Sequence, residues 1–274
     1  MVFSGSYESL LKETGARVLV NYASPKGSVL GGSIPFGFKS VIIDSGVFQL
    51  QGKIRTNYDI NIGGYATWLK FNLPQHPEVD GYFTFDWDGG EGDTPTRAAL
   101  LKKNYEYMLA EGLKPIPIWH PTRESWERLD YYVEQSPWVA LGGLVAGGYV
   151  GRAPSLLSAV KLRHPTHNFH VLGVGHSLIN NLPRAIRPFS VDISTWNVPA
   201  RFGNFLLRNE DGSIVERHLA GVDVEGKRIS TEQLKGNYKS NAFAADTLKT
   251  SIRTLMSMED EMQTKDSTVR PLLF

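Results

Sequence analysis

Short apolar runs alternate with helix-length segments through most of this 274-residue chain, and that rhythm restricts the fold more than any other feature. The runs are Arg17 to Tyr22, Val41 to Asp44, Gly81 to Phe85, Pro115 to Trp119, Trp138 to Leu141, His170 to Leu172 and Phe189 to Val191. Candidate helices lie between them at Gly64 to Leu73, Pro95 to Glu111, Glu124 to Gln135, Pro154 to Arg163 and Leu178 to Ile186, the last with Pro183 inside it as a kink or break. Strand followed by helix, recurring at roughly 25 to 40 residues, is the pattern of a parallel α/β fold. The helix from Pro95 has the clearest limits. Asp93 or Thr94 caps it, Pro95 fills the first turn, Ala98, Leu101, Tyr105 and Met108 mark one face, and Gly112 ends it.

An open doubly wound sheet and a closed (β/α)8 TIM-like barrel share this rhythm. Polar or glycine residues recur at the carboxyl ends of six strands (Asp44, Asp86, His120, Gly142, Gly175 and Asp192), which favours the barrel. A ring of loops around one mouth would collect all six, whereas an open sheet would collect only those at its switch point. The length suits one barrel domain over residues 1–274. After Asp192 the pattern weakens. Asn204 to Arg208 reads as a last strand or as the first arm of a hairpin near 204–220, with Asp211-Gly212 as its turn and Ile214 to Leu219 as its return. A C-terminal helix is expected near 241–262, with Ala245, Leu248, Ile252, Leu255 and Met256 on one face, and the tail beyond Thr264 is expected to be loose.

The formal net charge of +1 argues against a protein held to nucleic acid by bulk charge. No apolar run approaches a membrane span and no signal peptide stands at the start, so a cytoplasmic protein with no membrane partner is expected. With no cysteine, disulfides and thiolate zinc sites are both ruled out. Charge is uneven along the chain. Six acids (Glu78, Asp80, Asp86, Asp88, Glu91 and Asp93) fall between Phe71 and Thr96 with no Lys or Arg, while Lys227, Arg228, Lys235, Lys239, Lys249 and Arg253 cluster near the C-terminus. Each segment reads either as a solvated face or, for the basic side with Arg201 and Arg208, as a track for a phosphate backbone.

The run Val41-Ile42-Ile43-Asp44-Ser45-Gly46 stops at an acid and a turn, which is how a buried strand delivers a carboxylate to the end of a sheet or barrel. Asp44 and Asp192 could equally be turn or cap residues when each is taken alone. Asp88 reads as a loop acid and His120 as a hydrogen-bonded histidine at the mouth. His164, His167 and His170 have a ligand-like spacing, but Pro165 interrupts any helix that would align them, and no metal is expected.

Asp44-Ser45-Gly46-Val47-Phe48-Gln49 also resembles the Asp-Ser-Gly-Gly-aromatic-Gln signature of the tRNA-guanine transglycosylase superfamily, with Val47 in place of the second glycine. Further matches follow in the same order. Phe85-Asp86 resembles the family's base-reading aspartate, Gly142-Gly143-Leu144-Val145 its Gly-Gly-Leu turn, Leu172-Gly173-Val174-Gly175 its apolar strand end, and Ser190-Val191-Asp192 its nucleophile. The loop from Pro199 through Arg201 to Asn204 loosely resembles the basic loop that follows. His120 stands where the family usually has a glutamine, and the cysteine-rich zinc subdomain of the tRNA enzymes is absent.

The resemblance implies a zinc-free barrel whose Asp192 attacks the sugar's anomeric carbon while Asp44 serves as general acid/base. Asn21, Ser45, Phe48, Gln49, Asp86, His120, Gly142, Gly143, Leu144, Leu172 and Gly173 would hold the base, with Phe48 and Leu172 on its two faces. Arg201, Arg208, Lys227, Arg228, Lys235 and Lys239 would hold the polymer. Short zinc-free relatives belong to a DNA-modifying branch, many of them phage-encoded, so the implied partners are DNA and a free 7-deazaguanine such as preQ0, with no cofactor. The alternatives are a tRNA enzyme, a non-catalytic nucleic-acid-binding paralogue and, more remotely, a glycoside hydrolase. A homodimer is compatible with the sequence.

Overall fold

The computed structural model describes residues 11–23, 34, 36–47, 61–88, 93–144, 150–173, 182–192, 204–208, 214–218, 249–254 and 272–273. Strand β1 (Arg17–Asn21) pairs in parallel with β2 (Ser40–Asp44), and the register sets Asn21 opposite Asp44. Ser40 to Ile43 are all buried, as expected of a parallel strand covered on both faces. Helix α1 (Ile62–Asn72) follows, its first turn capped by the Asn61 side chain, which accepts from Gly64 N–H at 2.8 Å. It leads to β3 (Val79–Tyr82), parallel to β2. Helix α2 (Thr94–Ala110) is capped by Asp93, one of the two caps the sequence offers, and precedes β4 (Ile118–Trp119). Helix α3 (Trp126–Gln135), β5 (Trp138–Leu141), α4 (Ala153–Arg163), β6 (Asn168–Val171) and β7 (Ser190–Val191) continue the alternation. Strands β8 (Asn204–Arg208) and β9 (Ile214–His218) form an antiparallel hairpin, and β10 (Leu272–Leu273) pairs in parallel with β7. The protein is therefore a mixed α/β fold built on parallel strands.

Neighbouring strands are consecutive in sequence from β1 to β3 and from β4 to β7. A parallel bridge between Phe83 and Ile116 joins the two groups, with Ile116 N–H donating to the Tyr82 carbonyl at 2.8 Å and Thr84 N–H to the Ile116 carbonyl at 3.0 Å. Over these seven strands the order never reverses, which is unlike the switch point of a doubly wound sheet.

Alternation within the strands makes two cores. Val41, Ile43, Val139, Leu141, Phe169 and Val171 point to the larger one and meet Tyr65, Leu69, Tyr105, Met108, Leu129, Tyr132 and Leu157 from the helices. The intervening residues Ile42, Phe83, Ile118 and Ala140 gather with Ile116 and Phe189 in the smaller one. Complete burial of a side chain such as Ile42 contributes roughly 2 kcal/mol. The rings of Phe83 and His170 lie 5.1 Å apart, although β4 and β5 run between their strands. In a flat sheet three strand spacings would separate them by about 14 Å, so the strand array is strongly curved toward the smaller core.

Two expectations change. Within the described part of 178–186, Leu182 and Pro183 are not helical, and only a 3-10 turn forms at Arg184–Ile186. Proline lacks the N–H a helix interior needs, so the turn starts after it, with Ile186 N–H donating to the Pro183 carbonyl at 3.1 Å. The tail is not loose throughout, because Leu272 and Leu273 continue the sheet beside Ser190 and Val191. Of the expected C-terminal helix, 249–254 is helical and Ile252 is buried in the larger core; its other face residues lie outside the described residues. Among the described residues no helix is long and apolar enough to cross a membrane.

Candidate active site

Side chains along a strand alternate, so the smaller core's face extends past the strand ends. Two residues beyond Ile42 on that face is Asp44, beyond Ile118 is His120, beyond Ala140 is Gly142, beyond His170 is Leu172, and beyond Ser190 is Asp192. All these ends point the same way because the strands are parallel. The curvature that brings Phe83 to His170 also brings Asp44 near Asp192, from strands five positions apart.

Asp44 and Asp192 are close enough to act on each other electrically. Burial, then the charge of Asp86, pushes the Asp44 carboxyl up to about 6, against hydrogen bonds from the backbone at Gly46 and Ser45. Asp192 is pushed up to about 7, chiefly by burial and further by the Asp44 charge, while the Gly173 N–H that donates to its Oδ1 works in the opposite direction. His170 lies beneath Asp192, with Nε2 at 3.9 Å from Oδ1 and Nδ1 at 2.7 Å from Ser190 Oγ. Burial drives this imidazole down to about 3, so it is neutral and lends the Asp192 carboxylate no positive charge.

A second group gathers at the ends of β3, β4 and β5. His120 Nε2 lies 2.7 Å from Asp86 Oδ1, and Asp86 N–H donates to the fully buried Ser45 hydroxyl at 3.3 Å. The His120 backbone N–H donates to Glu124 Oε2 at 2.8 Å, and Tyr132 OH donates to Glu124 Oε1 at 3.1 Å. Gly142 and Gly143 lie against the imidazole. A Cβ on Gly142 would stand 2.9 Å from His120 Cε1, and one on Gly143, where φ is +74°, would stand 3.1 Å from Nδ1. Leu144 is buried in the larger core, which leaves only its backbone for a ligand.

The structure thus brings Asn21, Asp44, Ser45, Asp86, His120, Gly142, Gly143, Leu172, Gly173 and Asp192 to one end of the strand array. Phe48, Gln49, Gly175, Arg201, Lys227, Arg228, Lys235 and Lys239 lie outside the described residues, and Arg208 is described only through its backbone on β8. Sequence reasoning missed Glu124, whose helical-segment position gives no sign that it reaches back to the His120 amide. It also undervalued His170, whose alternation with Phe169 and Val171 was the available signal.

Asp88 is corrected from a loop acid to a buried one. It is 1% exposed and accepts from Arg97 Nε at 3.0 Å, Arg97 Nη2 at 2.6 Å and Arg123 Nη1. The acidic segment is accordingly not a plain solvated face. His164 pairs with Asp130 at 2.8 Å, and the His167 ring lies tilted against Phe169 with centroids 5.1 Å apart, so the three spaced histidines do not converge. Among the described residues no group of three His, Cys, Asp or Glu could hold a metal.

A pair of carboxyls at a recessed strand end can attack an electrophilic carbon through an ionised member and protonate a leaving group through a protonated one. No family model matches the chain, and no curated protein matches it either.

Proposed function

We propose that this chain is a (β/α)8-barrel transglycosylase that exchanges guanine in DNA for a 7-deazaguanine of the preQ0 type. The observation that carries the reading is the pairing of Asp44 and Asp192, delivered from strands five positions apart and both shifted into the neutral range. Closure into a barrel is supported by the unreversed strand order, the Phe83 to His170 contact, and the C-terminal segment. That segment joins Lys249 to Glu13, just ahead of β1, by a 2.9 Å ion pair and then lays Leu272–Leu273 beside β7, so it reaches both edges of the array.

In the proposed exchange the reactive form has Asp192 ionised and Asp44 protonated, the minor of the two singly ionised forms because Asp44 titrates at about 6 and Asp192 at about 7; from it Asp192 attacks the anomeric carbon and forms a glycosyl ester as the bond to guanine breaks. Protonated Asp44 delivers its proton to the departing base. The incoming 7-deazaguanine then gives its proton to Asp44 and displaces Asp192, restoring both groups. Gly173 N–H steadies the Asp192 carboxylate, and Asp86 accepts from the N1 and 2-amino edge of the base. In a duplex the target nucleotide must first be flipped out.

DNA is preferred over tRNA because a chain without cysteine cannot build the zinc module of the tRNA enzymes. The test is incubation with radiolabelled guanine or preQ0 and, separately, duplex DNA and bulk tRNA at equal nucleotide concentration. Label in DNA, lost in Asp192→Ala, is expected. Label only in tRNA would reassign the polymer, and label in neither would favour a non-catalytic binding protein.

A further inference from the structure

Asp88 is held by more positive charge than it needs. Its side chain is 1% exposed, and the single oxygen Oδ2 accepts from Arg97 Nε at 3.0 Å, from Arg97 Nη2 at 2.6 Å and from Arg123 Nη1. One guanidinium would balance a buried carboxylate, because what burial penalises is unpaired charge. Two guanidiniums on one carboxylate leave one positive charge in excess, and no other acid among the described residues forms an ion pair with either arginine. The two arginine side chains are 26% and 24% exposed, so the excess faces solvent. Most of their N–H donors are not spent on Asp88.

The cluster stands at the same end of the strand array as Asp44 and Asp192. Asp88 lies just past Asp86 on the chain leaving β3, Arg97 sits near the start of α2, and Arg123 sits in the turn between β4 and α3. The Arg123 backbone N–H donates to the His120 carbonyl at 2.9 Å. Asn104 of α2 donates to the Phe85 carbonyl at 3.1 Å and to the Trp87 carbonyl at 2.7 Å, which fixes the stretch of chain that carries Asp88. The nearby acids are engaged elsewhere, Asp86 by His120 and Glu124 by the His120 amide and Tyr132, so neither offsets the excess.

We propose that Arg97 and Arg123, clasped around Asp88, form a cradle for one backbone phosphodiester of the DNA strand at the mouth. A phosphodiester carries a single negative charge, which matches the excess, and its free oxygens suit two planar guanidinium forks. Such a contact positions the strand without reading its sequence. The inference rests on the base-exchange reading and adds to it a polymer contact at the β3 and β4 ends, beside a segment that in sequence holds only acids.

Fluorescence anisotropy of a labelled duplex, titrated at several salt concentrations, tests it. Arg123→Gln leaves Asp88 paired with Arg97, and Arg97→Gln leaves it paired with Arg123, so neither variant strands a buried charge. Each should weaken binding about tenfold at low salt and reduce the slope of log affinity against log salt by about 0.9, the loss of one phosphate contact. Arg123→Lys keeps the charge and should keep the slope. Local disturbance of one element would not produce equal slope changes from α2 and from the turn after β4. Slopes unmoved in both Gln variants, while wild-type protein still labels DNA, would overturn the cradle alone. Calorimetric titration with inorganic phosphate separates the sources: saturation that both Gln variants lose, with the DNA slope unmoved, would overturn the backbone assignment in favour of free phosphate. Wild-type protein that neither binds nor labels DNA would overturn the base-exchange reading and the cradle with it.

Discussion

Replacing Asp192 by Asn should stabilise the fold while abolishing exchange, and the gain should grow with pH. The carboxyl sits near the ordinary 3.8 when unfolded and at about 7 when folded. A raised acid pKa means the folded state is not penalised below pH 4 and is progressively penalised as pH rises toward 7, after which the cost is constant. Three pK units at about 1.4 kcal/mol each give about 4 kcal/mol at pH 8. The side chain is 15% exposed, so water at the open end screens part of this and roughly 2 to 3 kcal/mol should remain. Asn keeps an oxygen for Gly173 N–H and carries no charge, so it recovers that amount at pH 8. At pH 5 only the span from 3.8 to 5 counts, and the gain should be about 1 kcal/mol. Thermal melting at the two pH values reads the difference, at roughly 2 °C per kcal/mol for a chain of this size. A melting temperature equal to or below wild type at pH 8 would refute the costly burial of this carboxylate.

Exchange should follow a bell-shaped kcat/KM profile peaking between about 6 and about 7, because Asp192 must be ionised and Asp44 protonated; a flat profile from pH 5 to 9 would contradict these roles. Gly46→Ala should cost about 2 to 4 kcal/mol in urea unfolding, since φ there is +71° and the new Cβ would lie 2.4 Å from the Ala23 carbonyl oxygen. An unchanged unfolding midpoint would count against that turn. Activity should survive EDTA, because neither proposed step needs a metal; loss on chelation that zinc restores would show otherwise.

The α/β class, five of the strand ends (Asp44, Asp86, His120, Gly142 and Asp192) and the approximate bounds of α2 were legible in the sequence because each depends on local signals: β-branched runs, an Asp cap, a first-turn proline. Asp44 and Asp192 were legible as candidates for the same reason, each closing an apolar run. That they meet was not, since 148 positions separate them in sequence, counting 192 − 44, and only the curvature that brings Phe83 against His170 carries one to the other. Partners were likewise decided by the fold. Asp88 and Asp86 are two residues apart in one acidic run, yet one is buried between two arginines and the other is held by His120. Sequence supplies the carboxylate; the neighbours that set its charge come from strands and helices far along the chain, which only tertiary packing brings together.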